Sequence, residues 1–518
     1  MLSKLDGIQI ASHSLRSWEE ETSFNAILYE WMSAAPWMLI SAAAHLLLFF
    51  IAAAIPWSDL QPEERKGFVS ENVTPIDEFF EKPEEEIIEE ELEEPVEEPV
   101  LQDSKISESE DDPEYAEAEG DPEFLSDSPF NENMFNTLVG LGSGPGGKYG
   151  GRGLGGGGRK RGGKALELAL QDGLEWLKNH QASDGSWDCD GFDLECGKLG
   201  STRCGGAGYP EHDVGVTGLA VLAFMGMGST TKKGTYKEIV NKGINYLKSQ
   251  QDPDSGLIGD RASTEYIYNH VIATLAICEN YYFSKSPSHK RVAQKAIDFI
   301  TAARDPYGVW RYDVPSIGEG DTSVTGWMIF ALASAKDAGL KIDTASFAST
   351  LNFFDDMTDT SNGRVGYLAR GTGSSRIPGI NDDYPVEKGE ALTAVALLCR
   401  IFLEQDPSTE KVMEKHADLL LKTLPKWEPD ENGCDMYYWY YGTYAMFQMG
   451  GHKSSYWKNW EKSIDAAVIK SQNRDGNEKG SWDPVGPWGY AGGRVYSTAL
   501  MVLTLEVRFR YAKVLGAR

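Results

Sequence analysis

The chain has 518 residues, a formal net charge of −30 and a mean hydropathy of −0.38. Charge this negative excludes a nucleic-acid footprint, which needs clustered Lys and Arg. Six cysteines in this length exclude a disulfide scaffold, and no CxxC pair marks a zinc site, so neither a metal nor another cofactor is expected.

Residues 1–35 are polar with mixed charge, and residues 36–57 are apolar nearly throughout. About 20 apolar residues suffice for a helix to cross a bilayer. Trp31, Trp37 and Trp57 stand where interfacial anchors belong. The polar leader and the apolar run are both too long for a cleaved signal peptide, so an uncleaved single-pass helix is expected. His45 sits mid-span, four residues after Ser41 and on the same helical face. An ionisable group in hydrocarbon is costly and is kept for function or paired. Bonding within its own helix or in a dimer is the alternative. Ser-x-x-x-His in a lone N-terminal helix, followed by an acidic, proline-spaced stretch, resembles the energy-transducing TonB family. The resemblance implies that Ser41 and His45 meet a proton-driven motor in a bacterial inner membrane. It also implies a cytoplasmic N-terminus and a periplasmic remainder.

Residues 58–139 form an acidic linker. Within it, residues 71–130 hold 25 Asp and Glu against 2 Lys. Such a block buries too little apolar surface to fold, and self-repulsion extends it. A solvated spacer is the reading, with an acidic docking tail as the alternative. Residues 140–164 are mostly Gly, with Lys148, Arg152, Arg159, Lys160, Arg161 and Lys164. The ordered GxxxxGK[ST] pattern of a phosphate loop is absent, which leaves a flexible basic hinge.

Residues 165–518 are repetitive. Six turn signals recur: Asp184-Gly185-Ser186-Trp187, Asp254-Ser255-Gly256, Asp305 to Trp310 around Gly308, Asp359 to Gly363, Asp430 to Gly433, and Asp475-Gly476 with Trp482 beyond it. Most follow an amphipathic run, and each precedes a strongly apolar one. An all-round apolar helix must be buried, and one unit cannot bury it alone, so neighbours stack. Six such pairs predict an all-α double ring with the apolar helices inside. Asp-Gly permits the reversal between them. Gln181 with Trp187, and more loosely Gln472 with Trp482, resemble the Gln/Trp repeats of squalene cyclases and prenyltransferases. The Tyr-rich stretch around Trp439 and the stretch around Tyr496 resemble membrane-anchored bacterial members of that superfamily. The resemblance implies an α/α toroid over residues 165–518.

Inner helices of a toroid aim their ends at a central cavity. The cavity-lining candidates are His212, Asp213, Asn269, His270, Trp327, Asp382, Asp383, Glu390, Tyr438 and Tyr496. A carboxylate at a helix N-terminus is also a good cap, so capping competes with catalysis for each acid. Cyclases of the resembled family protonate an alkene with an Asp-x-Asp-Asp-Thr motif. The matching stretch is Gly318-Glu319-Gly320-Asp321-Thr322, with glycine at the donor position, which leaves Asp321 and Glu319 as catalytic candidates. Prenyltransferase zinc needs Asp, Cys and His; Cys434 and Asp435 stand together, but Ser497 replaces the expected His. Carbohydrate-active toroids use paired carboxylates, for which Asp213, Asp321 and Glu390 would serve. In a periplasmic setting two of Cys189, Cys196 and Cys204 could pair, while Cys278 and Cys399 read as buried thiols. The sequence therefore predicts a membrane-anchored toroid that binds a hydrophobic or cell-envelope ligand or a partner. A terpenoid cyclase and a carbohydrate-active enzyme are the alternatives.

Overall fold

The computed structural model describes residues 45–46, 163–199, 203–261, 264–314, 320–373 and 376–510. The acidic linker, nearly all of the hinge, Glu319, Ser41 and most of the expected membrane span lie outside the described residues. Of that span only His45 and Leu46 are described, and both are helical. Among the described residues no helix is long and apolar enough to cross a membrane.

The described residues from 163 to 510 belong to one compact unit. Its described part carries twelve α-helices: α1 (Gly163–Asn179), α2 (Asp213–Gly226), α3 (Lys237–Ser249), α4 (Tyr266–Ser284), α5 (Pro287–Ala303), α6 (Thr322–Ala338), α7 (Ala345–Met357), α8 (Ala391–Phe402), α9 (Lys411–Lys422), α10 (Met436–Gln448), α11 (Ser455–Ser471) and α12 (Gly489–Arg510). Extended pairing among the described residues is limited to two isolated bridges, Gln251 with Ile258 and Thr358 with Val365.

The two helix types separate as periodicity requires. α3 buries Val240, Gly243, Ile244 and Leu247, and α9 buries Met413, His416, Ala417 and Leu420, each one stripe at helical spacing. α8 is buried along its whole length, and α2 along all but its first residue. The even-numbered helices touch in the order α2, α4, α6, α8, α10, α12, and α12 returns to α2. That closed inner ring, with odd-numbered helices packed outside it, is an α/α toroid.

The joints between outer and inner helices explain the Gln/Trp grammar. Gln181 Nε2 donates to Gly185 O in its own turn and to Ile239 O on the next outer helix, both at 3.0 Å. Gln251 repeats this with Gly256 O and Val292 O, and Gln472 with Gly480 O and Ala169 O. The indoles of Trp187, Trp310 and Trp482 donate back to Leu177, Ile300 and Val468, each on the preceding outer helix. Where the Gln is missing, the next outer helix reaches back instead: Thr350 Oγ1 to Gly308 O, and His416 Nδ1 to Gly363 O.

The sixth joint differs from the sequence expectation in its glycine. The sixth turn's glycine is Gly480, not Gly476. Gly480 has φ +93°, and a Cβ there would collide with Asp172 O on α1, as one at Gly185 would with Lys242 O on α3. Gly476 opens a separate short 3-10 turn, and a Cβ there would meet nothing within 4 Å. The extra turn lies between Gln472 and its carbonyl partner, so spacing alone misplaced the glycine.

The bore is filled. α6 and α10 are not neighbours in the ring, yet their side chains meet across it. Trp327 packs on Tyr441 (5.4 Å between ring centroids), Tyr440 (6.3 Å) and Tyr437 (6.5 Å), and Phe330 packs on Tyr444 (5.7 Å). These geometries are the edge and offset arrangements aromatic pairs prefer. Near the inner helices' C-terminal ends, buried Arg510 bonds Glu279 on α4 at 2.9 and 3.0 Å and Glu506 on its own helix at 3.1 Å.

Candidate functional site

The site is built on the N-terminal end of α6. Asp321 is extended (φ −122°, ψ 153°), and its Oδ1 accepts the Val324 N–H at 2.7 Å, which makes it the helix cap. It is fully buried. Burial pushes its carboxyl up to about 6, against the opposing pull of the cap bond. Its second oxygen, Oδ2, accepts from the Tyr367 hydroxyl at 3.3 Å, and Tyr367 in turn bonds the Tyr312 hydroxyl at 2.8 Å. Two residues along, Ser323 Oγ accepts from the Tyr268 hydroxyl and bonds the Tyr437 hydroxyl, both at 2.9 Å.

These groups converge on one small cavity of about 30 Å³, lined by Tyr268, Tyr312, Ser323, Tyr367, Leu392, Tyr437 and Trp488. That is room for about one water. Burial pushes the phenols of Tyr268, Tyr312, Tyr367 and Tyr437 up, so they remain protonated donors. The arrangement offers a ring of hydroxyls, a proton path from Asp321 through Tyr367 to Tyr312, and a plug of aromatic rings behind it.

Most of the sequence candidates stand elsewhere. His270 does not line a cavity. It is fully buried, accepts the Ile258 N–H at Nδ1 (2.9 Å), and its Nε2 meets Ala296 O at 3.2 Å. Thr217, Thr325, Thr393 and Thr498 hold the corresponding backbone N–H in four other units, so His270 is the joint residue of its repeat. Burial lowers it to about 3, and it stays neutral. Glu390 is a buried partner of Arg364 (Nε–Oε1 3.0 Å) and accepts from Thr393 Oγ1 at 3.2 Å. Tyr438 turns away from the bore and donates to Thr423 O at 2.9 Å; its neighbour Tyr437 is the one that faces the cavity. Trp327 belongs to the plug. Tyr496 is half-buried against Gly492. Neither it nor His212 lines the cavity; half-buried His212 stacks on Tyr209. Asp382 and Asp383 are exposed, and Asn269 donates to Glu211 O.

Asp213 accepts the Cys189 N–H at 2.8 Å and lies with Asp188 and Asp190, their carboxylate oxygens within 4.8 Å of one another. Burial first, then these neighbours, push it up to about 7. The paired-carboxylate reading is not met, since Asp213, Asp321 and Glu390 each serve a separate local contact. Asp435 caps α10 and is bridged by Arg376 at 3.3 Å. Cys434 lies against Lys426 O, and its thiol is pushed up to about 12 by burial. All six cysteines are unbridged and buried, so the expected disulfide in the Cys189 loop is not formed.

At the position of the resembled acid, a Cβ on Gly320 would collide with the Val309 side chain. A longer proton donor therefore has no room there. Tyr312 and Tyr367 were not singled out by the sequence. Each stands four residues after a joint glycine, Gly308 and Gly363, and that shared offset is the signal that marks them.

No family model matches the chain, and no curated protein matches it. Among solved structures it is similar to an alpha-1,6-mannanase variant from Salegentibacter in complex with alpha-1,6-mannotriose, 12% identical, covering 66% of this chain and 99% of that one with a TM-score of 0.44. A type II terpene cyclase from Scytonema is 13% identical, with 66% and 97% covered and a TM-score of 0.43. A cellobiose 2-epimerase from Bacillus thermoamylovorans is 13% identical, with 66% and 98% covered and a TM-score of 0.44. Likeness at this level says nothing of activity.

Proposed function

We propose that the protein is a binding toroid, tethered to the bacterial inner membrane by residues 36–57 and displaying its ring in the periplasm. One observation carries the binding role. Ligand-enclosing pockets run to roughly 300–1,000 Å³, whereas the opening above Asp321 is about 30 Å³ and the bore behind it is packed with Trp327, Tyr440 and Tyr441. Such a site grips a small polar end group of an envelope ligand or a partner's side chain; it does not engulf a hydrocarbon or a glycan. The tether and its coupling to a proton-driven motor through Ser41 and His45 are supported by the sequence pattern alone. Incubation of the purified chain with squalene should give no cyclic product. A pull-down from membranes with and without His45→Ala tests the coupling, and identical partners would remove the motor from this reading.

A second reading, acid catalysis by a terpenoid cyclase, is favoured by the raised carboxyl of Asp321 and its hydroxyl chain. Cyclic product that disappears in Asp321→Asn would establish it over the first.

A further inference from the structure

The loop after the first joint carries three cysteines, and the fold sorts them. Cys189 Sγ lies by Gly492 O at 3.5 Å, on α12. Cys196 and Cys204 turn the other way, towards His180 near the end of α1. His180 Nε2 lies 3.3 Å from Cys196 Sγ and 3.5 Å from Cys204 Sγ, and all three are buried. Zinc–sulfur bonds of about 2.3 Å and zinc–nitrogen bonds of about 2.0 Å set tetrahedral nitrogen–sulfur edges near 3.5 Å. The 3.3 and 3.5 Å distances match that edge.

We propose that His180, Cys196 and Cys204 form a zinc site, with water as the fourth ligand.

The surroundings fit a ligand set better than an ordinary core. His180 Nδ1 faces Trp176 O at 2.7 Å. A carbonyl only accepts, so Nδ1 carries the proton and the Nε2 lone pair faces the sulfurs. A second partner that fixes the tautomer in this way is usual for a metal-binding His. Cys196 Sγ also accepts the Cys204 backbone N–H at 3.3 Å, which fixes the sulfur's position beside His180. Trp176 stacks on the imidazole at 4.1 Å and Phe192 stands edge-on at 5.9 Å, so the ring cannot swing away. Two thiolates with one imidazole suit a borderline-soft cation. Zn²⁺ displaces the two thiol protons to solvent and leaves the set neutral overall.

The site has a structural task. The loop it ties down continues into Gly205 and Gly206, whose carbonyls accept from Arg494 Nε (2.6 Å) and Arg494 N (2.7 Å) on α12. Tyr209 N then donates to Ala491 O at 2.8 Å. This is the seam where the last inner helix meets the first unit. Zinc would fasten that seam to α1.

The test uses the full chain, purified without chelator from zinc-supplemented cells. Metal analysis should find about one zinc per chain, falling at least tenfold in Cys196→Ser and His180→Ala. Because both substitutions remove buried side chains, the unaltered chain is also stripped and reloaded with Co²⁺. The intense visible bands of tetrahedral, thiolate-bound cobalt should appear and be bleached by one equivalent of zinc. An intact mass lower by two hydrogens, with Cys196 and Cys204 joined in one peptide, would overturn the proposal in favour of a disulfide. So would reduced protein that takes up neither zinc nor cobalt.

Discussion

Gln472 Nε2 donates to Ala169 O at 2.7 Å, a hydrogen bond between residues 303 positions apart. It joins the last turn of the toroid to its first helix and uses the same atoms by which Gln181 and Gln251 join neighbouring units. Ring closure is therefore one more copy of the repeat contact.

Replacing Gln472 with Ala leaves the carbonyls of Ala169 and Gly480 buried without this donor. At about 1–3 kcal/mol for each such group, the expected loss is roughly 2–6 kcal/mol. Gln251→Ala, whose side chain is only partly buried, should cost less. Chemical denaturation of both variants checks the order, and a Gln251→Ala loss as large as that of Gln472→Ala would contradict it.

Gly480→Ala and Gly476→Ala separate the true joint from its look-alike. Both glycines have positive φ, which costs a side chain about 1 kcal/mol. Only at Gly480 does the added Cβ also strike backbone, at Asp172 on α1. Gly476→Ala should lower the melting temperature by a few degrees at most. Gly480→Ala should lower it several times further or abolish folding.

Asp321 and Asp213 make stability fall as pH rises. Their folded values, about 6 and about 7, lie above the ordinary 3.8. Between those limits the folded state holds protons that the unfolded chain has lost, so stability declines from about pH 4 to about pH 7. For fully buried Asp321 the lift is worth at most about 3 kcal/mol. Asp321→Asn keeps an N-cap acceptor and removes the ionisation. Melting curves across that range should be flatter for the variant; an unchanged slope would mean that Asp321 ionises freely.

His270 and His416 act in the opposite sense. Both are buried and lowered to about 3 from 6.5. Below pH 6.5 the unfolded chain takes up protons that the folded one refuses, so their contribution is lost as pH falls towards 3. His270→Thr restores the residue found at four sibling joints and should lessen the acid sensitivity while costing packing against Phe299. Any ligand that binds the Asp321 cavity should bind this variant unchanged.

The legible part of the site was Asp321, since an acid just before an apolar run is a cap whatever else it does. The candidates His270, Glu390 and Tyr438 failed for a common reason. Each lies at the start of an inner helix, but helix phase turns it towards a joint or an outer helix, and one residue is enough to separate Tyr438 from Tyr437. The hydroxyls of Tyr312 and Tyr367 come from loops, where helical periodicity is absent and only the shared offset from the joint glycines Gly308 and Gly363 marks them.

Periodicity and turn chemistry alone determined the six-fold helical repeat, because a helix apolar all round has no stable place except inside a ring of its own kind. The Gln and Trp side chains marked the joints because the turn's backbone groups need those partners wherever it occurs. Only the tertiary structure decided that the bore is plugged, which depends on rings from α6 and α10 meeting across it. It also decided that His180, Cys196 and Cys204 share one pocket. Their spacing in the chain resembles no metal motif, and only the path of a loop fastened between α1 and α12 brings them together.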